Sequence, residues 1–82
     1  MASMPDPHVR SFGAAVRARR EQLGISQESL GFRARIHRTY VSDVERGARN
    51  PTVKVIWKLA AALDTLPSAL FASAEEMVKK RR

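Results

Sequence analysis

The sequence predicts a compact all-α domain of five short helices. Apolar residues recur at intervals of three and four along most of the chain, which places them on one face of a helix, and no segment shows the alternation typical of a β-strand. Gly24, Gly47 and Pro51 interrupt this pattern where helices are expected to end or begin. A chain of 82 residues with 44% apolar residues has room for one modest core, so we expect a single domain.

The first helix is predicted over residues 9–23, with Gly24 as its stop. Residues 1–8 contain two prolines and no helical spacing, so they are predicted to form a disordered arm. The domain itself is taken to span residues 9–72, which leaves residues 73–82 as a basic C-terminal tail. The apolar face of the first helix carries Val9, Phe12, Val16 and Leu23.

Two shorter helices come next, separated by a joint of three residues. Ser26 is a good N-cap for a second helix over residues 27–34. The third helix is predicted over residues 38–46, with Gly47 as a left-handed stop. The inward-facing residues of the two helices are Leu30, Gly31, Ala34, Val41 and Val44.

The fourth helix is predicted over residues 53–63, because Asn50-Pro51-Thr52 breaks the chain and caps this helix. Pro67 begins a brief fifth helix through Leu70 and Phe71, and the residues after Phe71 could either extend this helix or fray. The expected inner face of the fourth helix carries Val53, Ile56, Leu59, Ala60 and Leu63.

The charge balance favours nucleic acid as the partner. Fifteen Lys and Arg residues against eight Asp and Glu give a net charge of +7 and a pI near 11.1, and eleven of the fifteen cations are arginine. The planar guanidinium group suits phosphate oxygens and guanine edges, whereas lysine would serve equally well on a merely solubilising surface. Composition alone leaves an acidic protein or a membrane surface as alternatives.

Several classes of protein are not expected. The absence of cysteine excludes a disulfide framework, a thiolate zinc site and a cysteine nucleophile, and it favours a cytoplasmic location. No apolar run approaches the roughly 18 residues of a membrane span, and the first residues lack the apolar stretch of a signal peptide, so no membrane partner is expected. His8 and His37 have no carboxylates at ligand or catalytic spacing, and no glycine-rich phosphate loop occurs. We therefore expect no enzyme, metal, cofactor or small-molecule ligand.

Two short helices joined by a three-residue turn on a basic chain match the helix-turn-helix plan. The run GISQESLGFRARIHRTYVSDVERGARNPT resembles the lambda-repressor-like, or XRE, family of helix-turn-helix DNA-binding domains, and the similarity extends over residues 12–71. The segments RTYVS and ERGARNPT also resemble the controller proteins of restriction-modification systems. The positions that carry the resemblance are Arg20, Gly24-Ile25-Ser26-Gln27, Leu30, Val44-Glu45-Arg46-Gly47 and Asn50-Pro51-Thr52.

This resemblance implies a transcriptional regulator that binds double-stranded DNA in a sequence-specific way. It implies a homodimer whose third helices lie in the major groove of pseudo-palindromic half-sites. The narrower resemblance implies a restriction-modification controller protein. Two alternatives stay open: the antitoxin of a toxin-antitoxin operon, and an adaptor on the same fold that turns its basic face to an acidic protein.

The resemblance also implies which side chains contact DNA. Arg38 can fork onto guanine O6 and N7, Thr39 can touch a thymine methyl group, and Asp43 can accept from cytosine N4. The alternative for Asp43 is an exposed residue paired with Arg46. The residues expected at DNA phosphates are Gln27, Tyr40, Ser42, Arg49 and Asn50.

The phosphate contacts have structural alternatives. Tyr40 could instead be partly buried against the second helix, Gln27 could be an ordinary residue of a first helical turn, and Arg49 and Asn50 could serve loop geometry. The remaining basic residues nearby are expected to shape the electrostatic field: Arg17, Arg33, Arg35, His37 and Lys54.

Family positions that match Arg20 and Glu45 hold a buried or half-buried ion pair, so the same pair is implied here, joining the first helix to the end of the third. Three residues depart from the family pattern. Gly31 stands where alanine is usual, and Arg35 replaces a common glycine stop, which implies a left-handed arginine or a changed turn. Leu66 stands where a polar N-cap is expected.

A dimer interface is expected on the outer side of the fourth helix and at the joint before the fifth. The candidate residues are Trp57, Ala61 and Leu66, together with Val55. The alternative is that Trp57 and Leu66 only cover the end of the core.

Overall fold

The computed structural model describes residues 6–80, which form five α-helices and no strand. The predicted all-α, five-helix architecture is confirmed. No single helix in this part of the chain is long and apolar enough to cross a membrane; the fourth and fifth pass such a test only as a pair, bent by 97°. The helices are α1 (Pro7–Gln22), α2 (Gln27–Ala34), α3 (Arg38–Glu45), α4 (Val53–Ala62) and α5 (Pro67–Lys80).

The first helix begins two residues earlier than predicted. The Asp6 carboxylate caps it by accepting hydrogen bonds from the backbone N–H groups of His8 at 2.8 Å and Val9 at 3.3 Å. These bonds lower the pKa of Asp6. The cap therefore stabilises the fold at pH values above the ordinary carboxyl pKa, and this stabilisation is lost as the pH falls through the lowered pKa. Pro7 favours this start, because the first helical residue needs no N–H donor. Residues 1–5 of the predicted arm lie outside the described residues.

The fifth helix continues beyond Phe71, which is the extension that the sequence left open, so residues 73–80 belong to α5 and not to a separate tail. α5 runs on to Lys80 because Leu70 and Ala74 keep helical spacing and are buried, and Met77 packs beside them. The burial takes place mainly against α1. Residues 81–82 lie outside the described residues.

The core takes side chains from all five helices, and it corrects one expectation from the sequence. Val53 was expected on the inner face of α4, but its side chain is 71% exposed. It lies at the edge of that face, at the first residue of the helix and one turn before Trp57, where nothing covers it. The buried apolar residues are Phe12, Ala15, Val16, Leu30, Ala34, Val41, Val44, Leu59, Ala60, Leu63, Leu70 and Ala74.

Two glycines allow close contact with α3 and the turn before it. A Cβ on Gly13 would lie 2.0 Å from the Val44 carbonyl oxygen, so α1 and α3 pack with their backbones almost in contact. A Cβ on Gly31 would lie 2.8 Å from the Ile36 carbonyl oxygen. Gly31 therefore departs from the usual alanine because the turn folds back onto it, and Arg35 adopts the left-handed conformation at φ 59° and ψ 45°.

Arg19, for which the sequence predicted no role, ties α1 to the end of α4. Its Nε donates to the Leu63 carbonyl oxygen and its Nη2 to the Asp64 carbonyl oxygen, both at 3.0 Å. The last carbonyl groups of a helix lack intrahelical donors, and a cation there complements the helix dipole. These two hydrogen bonds fix the end of α4 relative to α1.

Gly13→Ala is expected to lower the free energy of unfolding by about 3 kcal/mol, because the added methyl group meets a backbone oxygen that cannot rotate away. Gly24→Ala is the matched control. Nothing lies within 4 Å of a Cβ there, and only its φ of +68° opposes the change, at about 1 kcal/mol. Urea unfolding followed by circular dichroism measures both. Equal losses at the two positions would contradict the close α1–α3 contact.

Candidate nucleic-acid interface

An open groove of about 610 Å³ lies between the first turns of α2 and α3. We call it the α2–α3 groove. α3 buries Val41 and Val44 beneath it and leaves Arg38 and Thr39 exposed. The lining residues include five of the eight side chains that the sequence predicted to contact DNA: Gln27, Arg38, Thr39, Ser42 and Asp43.

The other three predicted side chains lie outside this lining. Tyr40 is partly buried and packs against the core, as its structural alternative proposed. The Arg49 guanidinium carbon lies 4.5 Å from the centroid of the Tyr40 ring, which is a cation–π distance. Asn50 is exposed beside Arg49 in the joint before α4.

Arg38 and Thr39 are the exposed side chains among the predicted residues that line the α2–α3 groove. Among residues 6–80, Arg38 has one ionic partner, Glu28, and the Nη1–Oε2 distance of 3.7 Å is too long for a good hydrogen bond. Both side chains of that pair are more than half exposed, so water weakens the attraction. Arg38 can thus turn its guanidinium group toward a new acceptor.

Asp43 has a different environment from the one expected for a base contact. Its carboxylate accepts from Arg46 one turn later and lies 3.4 Å from Arg49 Nη2. Both oxygens have a cationic partner, and only 19% of the side chain is exposed. The geometry matches the alternative of an ion pair with Arg46, and a base contact by Asp43 stays a prediction.

A buried cluster joins α1, α2 and α3. Arg20 Nε donates to Glu45 Oε2 at 2.6 Å and Arg20 Nη2 donates to Glu45 Oε1 at 3.0 Å, so the implied pair is present and bidentate. Gln27 Nε2 adds a third bond to Glu45 Oε1 at 3.0 Å. The Arg20 side chain is 13% exposed and that of Glu45 is 3% exposed. The hydrogen bonds from Arg20 to Glu45 raise the pKa of the guanidinium, so Arg20 stays charged wherever the protein is folded.

The cluster modifies the expectation for Gln27. A glutamine amide nitrogen carries two hydrogens, and Glu45 takes one of them. The second hydrogen remains for a phosphate oxygen, so Gln27 can serve the cluster and contact DNA together. Sequence reasoning missed its bond to Glu45, because the two residues are separated by 18 positions.

His37 is a second feature that sequence reasoning missed. Its Nδ1 accepts a hydrogen bond from the Thr39 backbone N–H at 3.1 Å and so caps α3. No sequence signal indicated this, because histidine is not among the preferred N-cap residues.

Three of the four expected interface residues are exposed, and the fourth, Val55, is partly buried. Trp57 is 62% exposed and Ala61 lies one turn later on the same face, and Leu66 is 66% exposed in the joint before α5. Val55 is instead partly buried against the core, so it cannot offer a full side chain to a partner. Val53 takes its place on the exposed face, one turn before Trp57. We call Val53, Trp57, Ala61 and Leu66 the outer apolar residues.

Known proteins are similar to this chain in sequence and in fold. A family model described as helix-turn-helix matches residues 16–70, more than half of the chain. The chain belongs to the helix-turn-helix family. Among its relatives in the family, the control protein C.BamHI of Bacillus amyloliquefaciens is 45% identical over 60 residues, which are 72% of this chain and 74% of that protein. The control protein C.MunI of a Mycoplasma species is 33% identical over 73 residues, or 89% of this chain and 99% of that protein.

Solved helix-turn-helix proteins agree with the fold. The restriction-modification controller protein C.AhdI from Aeromonas hydrophila is 45% identical, with a TM-score of 0.75, and the match covers 76% of this chain and 94% of that chain. Together these relatives make this helix-turn-helix protein a DNA-binding regulator of transcription, with α2 and α3 as its motif. The relatives are regulators and not enzymes.

Glu45→Ala is expected to lower the free energy of unfolding by about 3 to 5 kcal/mol, because Arg20 would remain buried without its counter-charge. The control is Glu21→Ala on the surface of α1, where the pair with Arg17 is more than half exposed and contributes less than about 1 kcal/mol. Chemical unfolding of both variants provides the comparison.

A double-mutant cycle separates the pair from its surroundings. Arg20→Ala and Glu45→Ala combined should cost clearly less than the sum of the single changes. Additive losses would mean that the two side chains do not stabilise one another.

Proposed function

We propose that this helix-turn-helix regulator is a homodimeric restriction-modification controller that acts on DNA in the cytoplasm. The observation that carries the proposal is the exposed first turn of α3, with Arg38 and Thr39 open to solvent above a cluster that fixes the helix from α1 and α2. The similarity to C.BamHI, C.MunI and C.AhdI supports the controller role.

Base contacts in the proposed complex come from the start of α3. Arg38 places two parallel N–H groups on guanine O6 and N7, and Thr39 packs its methyl group on a thymine methyl. The bidentate contact of Arg38 discriminates against the wrong base, because at that base the guanidinium donors would lose their water without gaining a partner.

Phosphate contacts in the proposed complex surround these two residues. Gln27 uses its second amide hydrogen at the positive end of the α2 dipole. The hydroxyl groups of Ser42 and Tyr40 are suited to phosphate oxygens, and Arg49 and Asn50 reach the backbone from the joint before α4. These contacts place the domain on the duplex but carry no base preference.

A salt titration separates this proposal from an adaptor. Binding to duplex DNA releases counterions, so the affinity should fall linearly with salt on logarithmic axes, while preference for a selected duplex survives competitor DNA. An adaptor for an acidic protein would select no duplex. A controller further requires that the duplex selected from a random pool occurs near its own gene, beside restriction and modification genes.

Arg38→Ala is expected to lose about 1 to 3 kcal/mol of binding free energy on the preferred duplex and to flatten the preference at one base pair. Asn50→Ala should weaken all duplexes alike, because exposed Asn50 is proposed to contact only a phosphate and phosphates are the same in every sequence. Fluorescence anisotropy with the preferred and a scrambled duplex measures both losses.

Two matched variants test the geometry of the Arg38 contact. Arg38→Lys keeps the charge without the planar fork, so it should retain scrambled-duplex affinity and lose base preference. Lys79→Ala removes one cation from α5, away from the α2–α3 groove, and should leave the preference unchanged. Equal losses on both duplexes for Arg38→Ala would refute the base contact.

The size of the domain suits a dimer through the outer apolar residues. Two recognition helices must lie about 34 Å apart to enter successive major grooves on one face of a duplex. The described part of the chain measures 33 × 29 × 22 Å, so two copies side by side can reach that spacing. Val53, Trp57 and Ala61 lie on α4, and α4 is separate from the helices that form the α2–α3 groove.

Leu66→Glu and Trp57→Glu are each expected to convert a dimer to a monomer, because a carboxylate would be buried without a partner in the interface. Sedimentation at tens of micromolar protein without DNA measures the change. Phe32→Glu is the control: Phe32 is 87% exposed on α2, outside the proposed interface, so this variant should remain dimeric. A wild-type protein that is purely monomeric under these conditions would refute this interface.

A further inference from the structure

The first turn of α3 is capped by a hydrogen bond that only one protonation state of His37 can make. His37 has an extended backbone at φ −68° and ψ 142°, and its Nδ1 accepts from the Thr39 N–H at 3.1 Å. The N-caps of α1, α2 and α4 are Asp6, Ser26 and Thr52, whose side-chain oxygens accept hydrogen bonds across the usual pH range of binding experiments. α3 alone among the four has a titratable nitrogen at this position.

The donor in this bond belongs to the proposed DNA-contacting turn itself. Thr39 is the second residue of α3 and Arg38 is the first, so the cap fixes the backbone of both. An eight-residue helix has little intrinsic stability, and its first N–H groups have no intrahelical partner. Without the cap, the first turn is expected to fray and to present Arg38 and Thr39 in many orientations.

We propose that His37 is a positioning residue for DNA recognition, which orders Arg38 and Thr39 when its imidazole is neutral and releases them when Nδ1 is protonated. The inference rests on the proposed function, in which Arg38 and Thr39 contact bases.

The chemistry of imidazole sets the direction of the effect. A neutral ring that accepts at Nδ1 must carry its hydrogen on Nε2, and protonation converts Nδ1 into a donor that faces the Thr39 N–H. The cation would also lie at the positive end of the α3 dipole. The capped form is therefore favoured at higher pH and is lost as the pH falls. Histidine is the side chain that ordinarily changes charge between about pH 5 and about pH 8.

His37 has basic residues as neighbours in the fold. It lies in an open groove beside the turn, lined by α2 residues and the turn itself, and none of the lining residues is acidic. The charged groups that line it are Arg33 from α2 and Arg35 from the turn, and Arg38 comes directly after His37 in α3. The nearby carboxylate of Glu28 pairs with Arg38.

The protonated ring has opposite effects on specific and non-specific binding. It disorders the base-contacting turn, but it adds a positive charge near the phosphates. Acidification should therefore lower the ratio of preferred-duplex to scrambled-duplex affinity, even where total binding hardly changes. A general loss of fold would lower both affinities together, so this ratio separates positioning from structural damage.

The test measures this affinity ratio by fluorescence anisotropy from about pH 5.5 to about pH 8 at constant ionic strength. The wild-type ratio should fall roughly three- to ten-fold on acidification, in line with the loss of one N-cap. His37→Asn keeps a good cap that does not titrate, so its ratio should stay high at every pH. His37→Ala should be low at every pH, and His8→Asn, which removes the other histidine, should behave like the wild type.

A measurement on the free protein makes the inference independent of DNA. Nitrogen-15 spectra of the imidazole should show the hydrogen on Nε2 at high pH, and the Thr39 amide resonance should shift with the titration of His37 in the wild type but not in His37→Asn. Circular dichroism at each pH checks that the fold is retained.

Failure of the inference and failure of the proposed function give different results. Three results would each overturn the role of His37 alone. They are a duplex-selecting protein whose affinity ratio does not change with pH, a His37→Asn variant whose ratio does change with pH, and a neutral ring that carries its hydrogen on Nδ1. A protein that selects no duplex at any pH would overturn the proposed function as well.

Discussion

The buried carboxylate of Glu45 is the constraint on which the position of α3 depends. It is the last residue of α3 and accepts two hydrogen bonds from Arg20 and one from Gln27, so the ends of three helices meet at one group. An ionised carboxylate that is 3% exposed is tolerated only with a counter-charge and hydrogen-bond donors, and this one has both. Because α3 has only eight residues, the groups at its two ends, Glu45 and His37, contribute to its position together with buried Val41 and Val44.

The short distance between Arg20 and Glu45 depends in turn on Gly13 in α1. Gly13 lets the α1 backbone approach the Val44 carbonyl group, which is adjacent to Glu45 in the chain. Any side chain at residue 13 would push α3 away from α1, and the 2.6 Å contact between Arg20 and Glu45 would have to lengthen. Gly31 has the same relation to the turn before α3, whose Ile36 carbonyl group occupies the space of a missing Cβ. Backbone contact and buried charge thus stabilise one arrangement together.

The sequence predicts the helices well where an N-cap residue follows a helix-breaking residue. Ser26 follows Gly24 and Thr52 follows Pro51, and each caps the next helix. The prediction fails where a residue type has two opposite uses. Pro7 is typical of a segment that breaks a helix, although proline equally suits the first helical position. Val53 fits the apolar spacing of α4, but whether a side chain is covered depends on other helices, which local spacing does not report. His37 accepts a backbone hydrogen bond in a role that composition cannot distinguish from that of a surface cation.

The cluster around Asp43 shows why DNA recognition in the proposed complex should concentrate at the start of α3. Asp43 neutralises part of the charge of Arg46 and Arg49, and Arg49 also lies over the Tyr40 ring. The segment that follows α3 therefore presents ordered cations, and Asp43 is not a free carboxylate. Such a surface attracts phosphates of any sequence. Base preference must then come from side chains without a strong partner in the free protein. Arg38 meets that condition, which makes the order of the first turn of α3 the step that converts general attraction to DNA into selection of a sequence.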